Sequence, residues 1–221
     1  MIPKIIHYCW LSGDEVPENL KKCMDSWKKI IPDYEFVKWD FTKFDKSSSA
    51  WVSEAFDNRK YAFACDYIRL YAVYNYGGIY LDMEVLKRFD DFLNQQYMLA
   101  YERESCKGIE AGCFGAEPHS EYIKRCLDYY TDRHFIKEDG SFDQLPLPQI
   151  MQAELDKMKI NTEVKTWDYF TAKSYETGII SPTLNTYTIH HFAGSWKTPH
   201  EAKTINVYRY FATKYRGKKG H

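Results

Sequence analysis

Between Tyr61 and Glu84 the chain is almost wholly apolar or aromatic, and four charged side chains interrupt it: Asp66, Arg69, Asp82 and Glu84. Charge is costly to bury without a partner, so each of the four requires one, in the protein or in a ligand. Asp66 and Arg69 lie three residues apart, on one face of a helix. They could pair with each other. Alternatively, Asp66 accepts from sugar hydroxyls while Arg69 donates to a sugar or phosphate oxygen. Asp82 and Glu84 flank Met83 just after a short apolar run. They face one locus only if the chain turns there. A hard divalent cation, Mn²⁺ or Mg²⁺, would suit such a pair and could bridge it to a diphosphate. Read alone, the pair equally suits a solvated loop end.

Two further groups could serve the same ligand. His190-His191-Phe192-Ala193-Gly194-Ser195-Trp196 offers the neutral imidazole of His191 to a cation. It also supplies close backbone approach at Gly194, and a donor with a flat apolar wall at Trp196. A single histidine here could also be a satisfied core residue. His7, Tyr8 and Trp10, near the start, could hold a nucleotide base by stacking and backbone hydrogen bonds, or could simply pack on the core.

The pattern around these residues predicts the elements that carry them. Lys4 to Trp10 reads as a buried strand. From Pro17, the residues Leu20, Cys23, Met24, Trp27, Ile30 and Ile31 recur at helical spacing until Pro32, and Tyr34 to Trp39 returns to strand. This order predicts a parallel sheet with crossover helices, a Rossmann-like half. A loop at 46–49, a short helix at 51–56 and a longer one from about Lys60 to Tyr76 follow. Gly77-Gly78 ends the last of these. Ile79-Tyr80-Leu81 is a short buried strand with the acidic pair at its carboxyl end, the edge where open α/β sheets bind ligands. Strands are expected at 97–101, 113–116 and 187–192, and helices at 120–130, 149–158 and 201–215.

Composition bounds the function classes. The 221 residues suit one domain (1–221) with a basic tail at about 216–221. With a formal net charge of -1 there is no overall field to draw in nucleic acid. Aromatics at 17% suit stacking on sugar or base rings, or a Tyr-rich core. The six cysteines form no CxxC pair, which argues against a zinc ribbon or thioredoxin-like centre. No apolar stretch reaches the ~20 residues of a membrane span. A cytoplasmic protein with reduced thiols is expected. Lys214, Arg216, Lys218 and Lys219 could bring it to anionic lipid, on the inner face of the membrane.

The opening Ile2-Pro3-Lys4-Ile5-Ile6-His7-Tyr8-Cys9-Trp10, the block from Tyr61 to Val85 and the closing His190 to Trp196 together resemble glycosyltransferase family 32. This is the DXD-containing sugar-binding-region family, which includes capsular polysaccharide transferases and yeast-type Golgi mannosyltransferases. The resemblance implies an α/β GT-A fold with a Rossmann-like nucleotide-binding sheet and peripheral helices. It implies metal-dependent, retaining transfer of a sugar from a nucleotide diphosphate-sugar donor, UDP- or GDP-linked, to a glycan or lipid-linked acceptor. On this reading Trp10 lies against the base, Asp66 and Arg69 surround the donor sugar, and Asp82 and Glu84 lie at the metal and ribose. Ser195 and Trp196 close over the diphosphate. A likeness of the closing block to a glycogenin-type element adds His191 to the metal ligands. The expected nucleotide-sugar set is therefore His7, Tyr8, Trp10, Asp66, Arg69, Tyr80, Asp82, Ser195 and Trp196. Glu110, Gly112 and the stretch 143–149 could face donor or acceptor sugar. The chain has Asp82-Met83-Glu84 where the family usually ends its motif in Asp, which motivates one rival reading, a non-catalytic nucleotide-sugar or glycan-binding module; a second rival is a nucleotide-diphosphate-sugar hydrolase with water as the acceptor.

Overall fold

The computed structural model describes residues 1–158, 163–174 and 177–191. Ser195, Trp196, the helix expected at 201–215 and the basic tail lie outside the described residues. Strand β1 (Ile5–Cys9), helix α1 (Glu18–Ile30) and strand β2 (Glu35–Trp39) open the chain, each within two residues of the sequence expectation. Helices α2 (Ala50–Asp57) and α3 (Tyr61–Tyr76) lead to β3 (Gly78–Leu81) and to the two-residue β4 (Glu84–Val85). Then come β5 (Tyr97–Met98), β6 (Cys113–Ala116), α4 (Glu121–Asp128), α5 (Leu147–Met158) and β7 (Thr188–Ile189).

The main sheet has the order β2-β1-β3-β6-β5, and β4 pairs with β7 in a separate ladder. β1 runs parallel to both β2 and β3, but β6 is antiparallel to β3 and to β5. The parallel arrangement expected of the Rossmann-like half is thus found in β2, β1 and β3, and pairing beyond β3 is antiparallel. There the chain comes back without a crossover helix, which forces antiparallel pairing. Of the strands expected at 97–101 and 187–192, Tyr97–Met98 and Thr188–Ile189 form ladders; Ala100 and Tyr101 make isolated bridges to Lys165 and Ile109 instead of continuing β5.

The two faces of the sheet explain the burial pattern. Successive strand residues point to opposite sides. Tyr80 and Phe114 therefore join the core under α2 and α3, while Ile79, Leu81 and Cys113 join the core under α1. α1 is amphipathic and turns Cys23 and Trp27 inward, with Ile31 buried just past its end. Each fully buried side chain of this size contributes roughly 1.5–3 kcal/mol. α3 has apolar residues around most of its circumference, because it is covered by the sheet, α2 and α4.

At the α3–β3 junction, Gly77 ends the helix with φ +63° and its N–H donates to Val73 O at 2.9 Å. Gly78 follows at φ +95°, and a Cβ there would meet Ile5 O at 2.6 Å, inside the β1–β3 pairing. Gly78→Ala is expected to destabilise the fold by about 2–4 kcal/mol, from positive-φ strain plus displaced backbone. Urea unfolding would check this; an unchanged midpoint would mean that the junction relaxes freely.

Candidate active site

The turn between β3 and β4 is held from α1. Trp27 Nε1 donates to Met83 O at 2.6 Å, and Val85 N–H donates to Ser26 Oγ at 2.9 Å. Asp82 N–H in turn donates to Gly112 O at 3.0 Å, which ties the strand end to the segment entering β6. Asp82 therefore sits on a backbone fixed from two sides, at the carboxyl end of the parallel strands.

Arg69 links the helix to this edge. It is 8% exposed, and its guanidinium lies 4.5 Å from the centroid of the Tyr80 ring, a cation–π distance. Nη1 donates to Ala111 O at 2.8 Å and lies 3.8 Å from Asp82 Oδ2, while Nη2 lies 3.4 Å from Asp66 Oδ1. The alternatives left open for Asp66 and Arg69 are thus not exclusive: they pair, and the pair adjoins Asp82. Burial lifts the Asp66 carboxyl to about 6; Arg69 opposes that rise and Asp82 adds to it. Burial likewise raises Asp82, against the pull of Arg69 and His190.

Asp82 Oδ1 is buried and has no hydrogen-bond partner among the described residues. A buried carboxylate oxygen without a partner is expensive, and a bound cation or ligand donor would relieve it. Among the described residues no group of three or more His, Cys, Asp or Glu could enclose an ion. The donor set instead fits a cation that takes one or two carboxylates and completes its shell with phosphate oxygens and water. Asp82 is the residue on which such a cation would rest.

Glu84 and His191 lie on the neighbouring ladder, where Glu84 pairs with Ile189, two residues before His191. His191 Nε2 donates to Glu84 Oε2 at 2.9 Å, with both side chains about two-fifths exposed. Glu84 is thus engaged by His191, whereas Asp82 faces Arg69. The expected metal set of Asp82, Glu84 and His191 divides into these two arrangements, because β3 and β4 belong to different sheets.

The amino-terminal expectations need correction at His7. Its ring is 1% exposed; Nε2 donates to Gly77 O at 2.8 Å and Nδ1 accepts from Trp39 Nε1 at 3.1 Å. Burial favours the neutral ring, and its pKa is lowered accordingly. His7 is a brace across β1, β2 and the end of α3, with no nitrogen left for a base. Tyr80 is 1% exposed beneath Arg69, so it orients the guanidinium rather than lining a pocket. Tyr8 stacks edge-on against Trp27 at 5.4 Å and stays partly exposed. Trp10, also partly exposed, donates from Nε1 to Asp14 O at 2.8 Å.

One organising residue was only a weak expectation. Glu110 is 1% exposed; Oε1 accepts from Gly112 N–H at 2.8 Å, and Oε2 accepts from Thr171 Oγ1 at 2.7 Å and from His190 Nδ1 at 3.1 Å. Burial disfavours its charge, but His190 and these hydrogen bonds win, so its pKa is lowered. The same pairing raises His190 despite burial. Glu110 thereby shapes the turn whose carbonyls, Ala111 O and Gly112 O, accept from Arg69 and Asp82. Glycine at 112 is required by that closeness: a Cβ would meet Asp82 Oδ1 and Met83 Cε, each at 2.5 Å. Gly112→Ala should therefore push the Asp82 carboxylate aside and lower turnover by about 10-fold or more, as misplacement of a reacting group does. Steady-state kinetics would check it, and wild-type kcat would show that Asp82 need not stay where it is.

Comparison with known proteins agrees with this architecture. Residues 17–99 match the family described as glycosyltransferase sugar-binding region containing DXD motif. Inositol phosphoceramide mannosyltransferase 2 of Schizosaccharomyces pombe is 33% identical over 132 residues, covering 56% of this chain and 37% of that protein. Mannosyl phosphorylinositol ceramide synthase SUR1 of Saccharomyces cerevisiae is 30% identical over 149 residues, covering 62% of this chain and 37% of that protein. The matched region thus spans little more than a third of either relative. In three dimensions the chain resembles the PaToxG glycosyltransferase with a TM-score of 0.56 and 22% identity, covering 72% of this chain and 69% of that one. The fold is thus a mixed α/β sheet of GT-A-like kind, and over residues 17–99, from α1 to β5, the chain is similar to the DXD-containing glycosyltransferases of family 32.

Proposed function

We propose that the chain transfers a sugar from a nucleotide diphosphate-sugar donor to a glycan or lipid-linked acceptor, with Mn²⁺ or Mg²⁺. The names of the two yeast relatives favour a mannosyl group and an inositol-bearing lipid as the first pair to try. One observation carries this reading: Asp82, whose buried Oδ1 has no hydrogen-bond partner among the described residues, lies beside the buried Arg69 at the carboxyl edge of the parallel strands. A cation resting on Asp82 would supply Lewis-acid stabilisation of the departing diphosphate.

The chain's own residues do the remaining work. Arg69, fixed by Tyr80 and Ala111 O, holds positive charge where negative charge grows on the leaving group, and needs no reorganisation to do so. Asp66 accepts from donor-sugar hydroxyls and orients the ring. Tyr8 and Trp10 offer partly exposed aromatic surface to the base. Glu84 with His191 would border the metal and ribose, and the family resemblance assigns Ser195 and Trp196 to the diphosphate. We assign no protein base: in retaining transfer the acceptor hydroxyl approaches on the face that the diphosphate leaves.

The test is a donor screen. The protein is incubated with Mn²⁺ and a panel of UDP- and GDP-linked sugars, with and without EDTA, and released nucleoside diphosphate is measured. Metal-dependent release that rises when acceptor is added is expected. Release indifferent to every acceptor would point to a hydrolase, and binding without release to a non-catalytic module.

A further inference from the structure

β5 and β3 are both antiparallel to β6, so they run in the same direction, and the chain leaving β5 emerges at the sheet edge where Asp82 stands. Two strand spacings, about 10 Å, separate the two exits. There the chain folds back on itself. Tyr101 and Ile109 form an antiparallel bridge, Glu110 N–H donates to Ala100 O at 2.9 Å, and Glu102 N–H donates to Gly108 O at 2.8 Å. Tyr101 and Ile109 face the core under α2 and α3, and alternation puts Glu102 and Glu110 together on the other face as diagonal neighbours. We propose that Glu102 is an acceptor-binding residue, its carboxylate accepting from a ring hydroxyl of a sugar or cyclitol acceptor. This rests on the transferase reading above and gives its acceptor a partner in the protein.

Glu110 connects Glu102 to the reaction centre. A Cβ on Gly112 would lie 2.5 Å from Asp82 Oδ1 and 3.2 Å from Glu110 Oε1, so these two carboxylates come together at one glycine. His190, bonded to Glu110 through Nδ1, feels the charge of Asp82 and of Glu102 as well. Glu110 itself is 1% exposed with both oxygens engaged, and so does not meet a substrate. Glu102 can do so, because 13% of its side chain is exposed. Arg103 Nε donates to Oε2 at 3.0 Å, and Oε1 accepts no hydrogen bond among the described residues. A carboxylate oxygen takes a hydroxyl in a short, charge-assisted bond. Burial raises the pKa of Glu102, and the charge of Glu110 adds to the rise against the pull of Arg103. The fold thus keeps a carboxylate where ionisation is disfavoured, as functional sites do.

The approach to Asp82 separates acceptor from donor. Asp66 and Arg69 reach it from α3, and the donor sugar is assigned to them. Glu102 lies on the face of the 100–110 hairpin turned away from the α3 core, so a ring bound to it would meet the donor sugar from the other side.

Glu102→Gln, which keeps the size of the side chain, and Glu102→Ala test the assignment. Saturation-transfer NMR on the 221-residue chain, without donor, uses methyl α-mannopyranoside in one arm and myo-inositol in the other. At least one ring should bind, and the arm that binds tells a sugar from a cyclitol. Alanine should weaken that binding about 10-fold or more and glutamine less, as loss of a charge-assisted hydrogen bond does. In the transfer assay the KM for acceptor should rise by a similar factor, with the KM for donor and the acceptor-independent release of nucleoside diphosphate at wild-type values. The glutamine variant should melt no lower than the wild type, which separates lost binding from lost structure. Absence of binding by both rings, or binding and acceptor KM indifferent to both variants, would overturn the assignment. A raised KM for donor would overturn it too, by moving Glu102 to the donor sugar. Ring binding that the variants abolish in a protein that turns over no donor would keep the ring contact and sink the transferase.

Discussion

Asp82→Asn is expected to lower metal-dependent release of nucleoside diphosphate by about 10²–10³-fold, the scale set by removing one electrostatic contact to a leaving group. The substitution keeps the shape of the side chain and the backbone hydrogen bond from Asp82 N–H to Gly112 O. It removes the negative charge on which a cation would rest, and it leaves Arg69 with Asp66 and Ala111 O as partners. Stability should not fall, because burial already disfavours the ionised form of Asp82. The readout is therefore a loss of kcat and of Mn²⁺ response without a lower Tm. Retention of wild-type kcat and the same Mn²⁺ dependence would remove Asp82 from the site. Glu84→Gln is the useful contrast. Glu84 pairs with His191 at a partly exposed position, and a smaller loss there would show that the two acids of the motif do unequal work.

The separate placement of Asp82 and Glu84 was not legible in the sequence, although much else was. β1, α1, β2, α3 and β3 could be read because each carries its own local signal: a 3.6-residue apolar stripe on α1, an apolar run before an acid at β3, and glycines where φ is positive. Asp66, Arg69 and Asp82 could be singled out for a related reason, as charges inside an apolar stretch. What the sequence hid depends on distant pairing. Asp82-Met83-Glu84 looks like one motif, yet β3 bonds to β6 while β4 bonds to β7, more than 100 residues away. Nothing local marks that change of sheet. His7 misled for the opposite reason: a polar aromatic residue in a strand looks available, and only the fold brings Gly77 O and Trp39 Nε1 to its two nitrogens. Glu110 sits among residues of mixed character, and its role appears only when Thr171 and His190 arrive from the far end of the chain.

Asp66→Asn should separate function from stability more sharply than any other substitution in the site. In the fold the Asp66 carboxyl is raised from 3.8 to about 6, chiefly by burial, so between those values the folded chain holds a proton that the unfolded chain has released. Stability from this group is therefore fully present below the unfolded value and is lost as pH rises through about 6. At pH 7.5 the ionised carboxylate costs the free protein about 2–3 kcal/mol, a net shift of roughly two pH units at 1.36 kcal/mol each in which the attraction to Arg69 is already included. The asparagine variant avoids that cost, and its Tm should exceed that of the wild type by several degrees at pH 7.5, at about 2–4 °C per kcal/mol for a chain of this size. Near pH 4.5 the wild-type carboxyl is itself protonated and the advantage should shrink. Turnover should fall in the same variant, because a carboxylate that accepts from sugar hydroxyls is replaced by a group with half its accepting capacity. Thermal unfolding of both proteins across this pH range, beside donor release at pH 7.5, reads both effects. A variant less stable than the wild type at pH 7.5 would mean that the Asp66–Arg69 pair holds the fold together. A variant that is more stable and less active would mark Asp66 as a charge kept for a ligand at the expense of stability.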